Sequence, residues 1–504
     1  MNASAINARP LRLSWPVPLA AVLAVFAMML PLICWFGLAN PDLVPGLSNL
    51  SWTNTGVMIS AAGTVFILFF VPLTWMLVSR RGDFVGIWLM QNALLAVGYF
   101  FLPQTAYGLN IPDLGPAILH AGGLVVIVNA LGFLILLVAL GLAFFFARLA
   151  RAGIKPLLAP PEIYDRRLLI LLRFGALFCV GTIVLSMAVT RTIPMLASDP
   201  VEARYIFDDN AVTRPLYNAS VAILPFISSG LLVMFLRKPR RLFGLDGWLA
   251  GMVLVAQLLS SNRFPLAIAV MVAITLLSME KKWPRSLLFV AVAGYFVLFL
   301  GLSGFTSIWR QNREELSSKE GIVAASFHEA YTGNNLIDYR DAAWVFSQWD
   351  HQPLMGKTYL GGMAEMLPSA IFPMKRQWHL GQTALRIVGW GEYKHFGLRV
   401  SCFGESFLNF GFAGVAGLAM ILGIIFGTLL RYLHLLSNAS QPVCLSRNMC
   451  VVMLMQMLIV WTSTGDAYIF WALLVSLVFI RIIVLYGGNQ GTFSLEYSEP
   501  AGIS

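Results

Sequence analysis

The sequence predicts an all-α, polytopic integral membrane protein of about twelve transmembrane helices with one large loop outside the membrane. Three observations predict it. Over 504 residues, 58% are hydrophobic and only 12% charged, with a mean hydropathy of +0.76, whereas a soluble globule carries about 25% charged residues. Apolar stretches of about 20 residues recur, the length that crosses a hydrocarbon core of about 30 Å as a helix, and the alternating strand pattern of a membrane barrel is absent. Finally, one long polar interruption, residues 305–402, divides the apolar runs.

Taken in order, the chain opens with MNASAINARPLRLSW, which places Arg9 and Arg12 ahead of an apolar run at 17–39. That run exceeds the roughly 7–15 residues of a signal-peptide core, so it reads as a retained first helix. Further spans are expected at 53–78, 84–103, 116–147, 168–190, 215–236, 243–261, 264–280, 286–304, 404–431, 446–463 and 467–486. The organisation is then 1–304 with nine spans and a short outer connection at 191–214, the large loop 305–402, three spans in 403–486, and a short polar tail 487–504 that is expected to be disordered.

Basic residues test the spans, because cytoplasmic loops collect them. Arg80 and Arg81, the group from Arg148 to Arg167, Arg237 to Arg241, Lys281 to Arg285, and Arg431 with Arg447 all fall on the side of the N-terminus. The connections 40–52 and 104–115 contain no Lys or Arg. Both termini are therefore expected in the cytoplasm and the 305–402 loop on the outer face. Long loops cross regardless of charge, so the cations kept there serve a ligand, a fold or both.

The net charge of +10 and pI near 9.5 are accounted for by the same loop bias, so no nucleic-acid partner is expected and membrane lipids are. Cys34, Cys179, Cys402, Cys444 and Cys450 form no CxxC or Cys/His ligand spacing, which predicts neither a zinc site nor a disulfide framework.

Four outer-face features carry candidate chemistry. These are the 191–214 connection with Arg191, Arg204 and Arg214 among acids; the tight turn SSNRFP holding Arg263; the long loop itself; and Glu405, at the start of the following helix. Arginine suits diphosphate because its planar fork donates paired hydrogen bonds and stays ionised. For any one arginine, Arg376 and Arg399 included, the plainer reading is a snorkelling side chain or an ion pair. Arg263 is harder to dismiss, since a charge between two apolar helices requires a partner. Arg173 lies deeper, near a cytoplasmic end, and reads as snorkelling. Gln257 and Asn129 are among the few polar groups at mid-membrane positions.

The loop holds His328, His351, His379 and His395, without HxH or HxxxH spacing, so each reads first as a structural residue and no metal site is expected. His395, in KHFGLR just before the Glu405 helix, is the best placed of them. Glu405 reads either as a general base with a pKa raised by desolvation or as a carboxylate favoured at a helix start. Gly404, Gly411, Gly414, Gly417, Gly423 and Gly427 permit close helix contact in lipid.

The segments PMLASDPVEARYIF, SSNRFPLAIAVMVAITLL, NNLIDYRDAAWVFSQWDHQPLMGKTYLGGMAEMLP and GESFLNFGFAGVAGLAMILG together resemble the bacterial oligosaccharide repeat-unit polymerases, the Wzy-type or O-antigen polymerases, over most of residues 190–430. The resemblance implies a glycosyltransferase of the bacterial inner membrane that joins undecaprenyl-diphosphate-linked repeat units into a surface polysaccharide, with 305–402 as a large periplasmic loop. Its implied partners are those lipid-linked oligosaccharides, a repeat-unit flippase and a chain-length regulator. Arg204 matches the arginine of the family's mid-chain periplasmic loop, Arg263 the arginine before the next helix and Glu405 the acid of the GE..LNFG element. Arg310, Arg313, Arg386 and Arg399 are further candidates for binding diphosphate, and His395 joins Glu405 as a candidate to activate the acceptor hydroxyl. No DxD-like pair occupies the first outer connection, so a metal-independent reaction without cofactor is expected. The alternatives are a lipid-linked oligosaccharide flippase or transporter, which would show related halves and short loops on both faces, and an O-antigen ligase. Where the related ligases place a histidine–asparagine pair, this chain has Gly404 and Glu405.

Overall fold

The computed structural model describes residues 115–149, 161–197, 213–237, 244–260, 264–281, 339–364, 371–390, 398–438 and 445–465, with scattered single residues and pairs elsewhere. Within these, every regular element is a helix. The helices are α1 (Gly115–Leu149), α2 (Pro161–Thr190), α3 (Thr213–Arg237), α4 (Leu245–Leu259), α5 (Phe264–Lys281), α6 (Tyr339–Gln348), α7 (Lys357–Met363), α8 (Lys375–Trp378), α9 (Leu380–Ile387), α10 (Ser401–Asn438) and α11 (Leu445–Thr464). A 3-10 turn, Pro194–Leu196, follows α2.

Four of these, α1, α2, α3 and α10, are long and apolar enough to cross a membrane. Their surfaces agree with lipid as the surrounding medium. Leu134, Val138, Leu142 and Phe146 lie exposed at four-residue spacing along α1, and Phe174, Leu177, Phe178, Val184 and Leu185 are exposed on α2. Apolar faces of that extent are not left in water. Hydroxyls inside the apolar helices bond back to their own turns: Ser186 of α2 donates to the Thr182 carbonyl at 2.9 Å, Ser228 of α3 to Leu224 at 2.7 Å and Thr275 of α5 to Met271 at 2.8 Å. In an apolar medium such groups need a partner, and the i−4 carbonyl is the nearest. Pro225 lies inside α3, and Ser229 four residues on donates to its carbonyl at 2.6 Å.

Close packing comes from small residues. A side chain at Gly423 or Gly427 of α10 would strike the backbone carbonyls of Leu136 and Leu140 at 2.5 Å, so these two glycines let α10 lie directly on α1. The expectation for Gly417 is not met in the same way, since a side chain there would meet open space. Gly175 and Gly230 perform the same service between α2 and α3, against Ile227 and Leu172.

At the ends carrying the basic loops, Arg237 binds Glu280 at 2.7 Å and Asp165 at 3.4 Å. Arg173 does not merely snorkel. Its Nε donates to Asp246 of α4 at 2.7 Å, pinning α2 to α4. The spans expected at 17–39, 53–78 and 84–103 lie outside the described residues, as do most residues of 286–304 and 467–486.

The largest departure from the expected helix at 404–431 is in α10. Gly411 has φ 63° and ψ −154°, a conformation that favours glycine. A side chain on Gly414 would lie 2.7 Å from the Ser406 carbonyl, eight residues back, although eight residues of continuous helix span about 12 Å. Likewise Phe403 packs on Gly132 while Gly423 packs on Leu136. Those partners are only about one turn apart on α1, whereas a straight α10 would separate residues 403 and 423 by about 30 Å. The chain therefore bends sharply at Gly411, and the arm 401–410 folds in against α1 instead of prolonging the membrane-crossing arm.

Candidate functional site

The folded-in arm is the seat of the candidate site. Residues 401–409 are all buried, Glu405 with 0% exposure. The bend has a direct consequence for hydrogen bonding. In a continuous helix the carbonyls of Leu408 and Asn409 accept from the amides four residues on; a break at Gly411 frees them. The segment leading into α7 takes both. The Leu354 amide donates to the Leu408 carbonyl at 2.9 Å and the Met355 amide to the Asn409 carbonyl at 3.1 Å.

Side chains complete the junction. Thr358 of α7 donates its hydroxyl to Glu405 Oε1 at 2.7 Å. Asn409 Nδ2 donates to the same Thr358 oxygen at 2.7 Å and to the Glu405 carbonyl at 2.8 Å, while Asn409 Oδ1 accepts from the Gly356 amide at 2.9 Å. Glu405 and Asn409 are four residues apart, hence on one helix face, and Thr358 closes the triangle. Gly356, with φ 81°, turns the chain into α7.

A second buried chain of bonds fixes the foot of the arm. Ser401 Oγ donates to Asn129 Oδ1 at 2.9 Å and accepts from the Gly404 amide at 3.1 Å, as a capping serine does. Asn129 Nδ2 donates to the Val125 carbonyl at 2.8 Å. Asn129 is thus a structural partner of α10. Ser401 itself has φ 63°, and Gly465 with φ 72° closes against its carbonyl.

Aromatic packing joins the loop helices to the same arm. Phe346 of α6 stacks on Phe407 at 5.5 Å between ring centroids, and Trp349 meets Phe407 edge-on at 5.7 Å. Tyr359 of α7 stacks on Phe410 at 6.3 Å. Burial, and then the Glu405 carboxyl nearby, push the Tyr359 phenol above its ordinary range. α6 also packs on α1, so the polar interruption of the sequence is in part a folded cap on the helix bundle.

Among the expected site residues, the structure brings Glu405 together with the loop and leaves Arg386 and Arg399 on its surface. Arg386, on α9, donates to the Gln377 carbonyl and so clasps the α8–α9 unit. Arg399 is exposed two residues before α10 begins. Arg204, Arg263, Arg310, Arg313 and His395 lie outside the described residues. Next to Arg204, Ala203 is buried, and Phe207 is buried edge-on against Tyr217 at 5.0 Å, so the 191–214 connection is anchored to the bundle at both residues.

The two described loop histidines have structural roles. His379 is buried and caps α9, its Nδ1 accepting from the Gly381 amide at 3.3 Å. His351 is exposed and packs edge-on against Trp349 at 5.3 Å. Sequence reasoning did not single out Thr358, Asn409 or Ser401. The i,i+4 pairing of Glu405 with Asn409 was a usable signal for one of them; Thr358 gave none, because its partner lies 47 residues away.

No protein-family model, curated protein or solved structure matches the chain.

Proposed function

We propose that the chain is a membrane glycosyltransferase that polymerises oligosaccharide repeat units carried on a lipid diphosphate, at the membrane face where the 305–402 loop folds. The observation that supports this reading most is the junction of α7 with the bent arm of α10. It fastens the loop that carries the exposed Arg386 and Arg399 to the end of a membrane-length helix, where a lipid-borne sugar substrate would meet them.

In the proposed reaction the acceptor sugar hydroxyl attacks the anomeric carbon of the donor. The new glycosidic C–O bond forms as the bond to diphosphate breaks, and the lipid diphosphate departs with the electron pair. Arg204, Arg263 and Arg310 or Arg313 stabilise that departing charge. His395 takes the proton of the acceptor hydroxyl. Glu405, buried beneath Thr358, positions the loop wall and does not touch the sugar in this conformation.

Purified protein mixed in detergent with lipid-diphosphate-linked repeat units should yield a ladder of lengthened products. Arg204→Ala and Arg263→Ala should abolish the ladder while the protein still inserts. Absence of elongation with the cognate substrate, together with transbilayer movement of that lipid in liposomes, would replace the reading with a transporter.

A further inference from the structure

We propose that residues 354–364 together with 371–374 form an interfacial element seated in the bilayer leaflet on the loop side, with their apolar side chains among lipid acyl chains. The stretch, LMGKTYLGGMAEMLPSAIFPM, has Lys357 and Glu365 as its only charged residues, unlike the polar sequence on either side. Six of its described large apolar side chains are turned outward. Met355 is 72% and Ile371 69% exposed, and Leu360, Met363, Leu367 and Met374 are also exposed. α7 has two faces: Thr358, Gly361 and Gly362 are buried, while Leu360 and Met363 are exposed beside Lys357. Gly361 abuts the backbone at Trp378 and His379, and Phe372 packs edge-on against Trp378 at 5.5 Å, which ties α7, the 371–374 turn and α8 into one unit.

The level of this unit relative to the membrane follows from α10. Arg431 lies over the Phe144 ring at 5.4 Å, near the end of the arm that carries basic residues. Counting back about 20 residues, one hydrocarbon thickness, reaches Gly411. Residues 354–356 bond to Leu408 and Asn409, and Tyr359 stacks on Phe410, so the segment lies at that boundary. Phe410 and Phe412 are exposed there, and Met420, Ile421 and Ile424 continue the exposed face down the membrane-crossing arm. The apolar surface of 354–363 is thus continuous with a lipid-facing surface. An element with one apolar face and a lysine at its edge, held at the boundary, enters the acyl region by about 5–10 Å. Lipid as the occupant does not depend on the polymerase reading.

The test places a nitroxide at Met355, Leu360 or Ile371 by replacement with cysteine, one per chain, in the full-length protein reconstituted in liposomes, with the signal of the unsubstituted chain subtracted. Collision with dissolved oxygen is compared with collision with a water-soluble nickel chelate. Ile421→Cys serves as the lipid-facing reference and Gln352→Cys as the exposed loop reference. For a segment in the acyl region, the oxygen-to-nickel ratio should match Ile421 within about twofold and exceed Gln352 by about fivefold or more. Ratios like that of Gln352 would overturn the proposal by showing a water-facing segment. Protection from both reagents would overturn it by showing a protein cover. All three positions are exposed, so the replacements disturb no buried packing, and each reads the outcome separately.

Discussion

Replacing Thr358 by valine keeps the shape of the side chain and deletes one hydroxyl that serves two bonds, to Glu405 Oε1 and from Asn409 Nδ2, each 2.7 Å long. The carboxyl oxygen loses a donor in a buried site, which costs about 1–3 kcal/mol, and the lost amide bond adds about 0.5–1.5 kcal/mol. Asn409 Nδ2 keeps the Glu405 carbonyl, so the total is about 2–4 kcal/mol. The change should act locally, on the docking of α7 against the arm 401–410. Its reporters are the amides of Leu354, Met355 and Gly356, whose acceptors all belong to residues 408 and 409. Local opening made easier by that amount speeds amide exchange roughly 30-fold to 1000-fold. Hydrogen exchange of a peptide covering 352–358, followed by mass spectrometry in detergent, measures it. Thr358→Ser, which retains the hydroxyl, should stay near the parent rate. An unchanged rate in Thr358→Val, or equal acceleration in the serine variant, would refute the claim that this hydroxyl fastens the loop.

Three other outcomes follow from the packing. Gly465→Ala should prevent accumulation of folded protein, since the new methyl would lie 2.2 Å from the Ser401 carbonyl at a φ of 72°; gel filtration of the detergent extract reads this, and Gly417→Ala, facing open space, is the neutral control. Gly427→Leu should destabilise by about 3 kcal/mol or more, because the obstacle is the Leu140 backbone and not a mobile side chain; a fall in melting temperature in the same detergent checks it. Asp246→Ala should lower the yield of folded protein by leaving Arg173 without its 2.7 Å partner near the apolar region, and the double exchange Arg173→Asp with Asp246→Arg should recover most of it.

Much of the helical layout was legible in the sequence. The runs expected at 116–147, 215–236, 264–280 and 446–463 appear as helices Gly115–Leu149, Thr213–Arg237, Phe264–Lys281 and Leu445–Thr464, because a helix that must satisfy its own backbone in lipid leaves an uninterrupted apolar run. At α2 the helix begins earlier than the apolar run, at Pro161, since a proline at the first position and a polar first turn do not lower the hydropathy of the helix that follows. The candidate site was legible only in pieces. Glu405 stood out as a carboxyl among apolar residues, but its depth did not, since burial depends on what covers it.

The sequence by itself determined that this chain is helical and suited to a membrane, because composition and run length decide whether a backbone survives without water. Only the tertiary structure decided where the polar interruption goes. The bend at Gly411 depends on one residue's dihedral angles, and the carbonyls it frees at 408 and 409 are what draw in residues 354 and 355. The described part of that interruption is thereby split into a buried aromatic cap, α6 on Phe407, and outward apolar side chains at Met355, Leu360, Met363, Ile371 and Met374. No run of letters encodes that division, because it arises from bonds between residues some fifty positions apart.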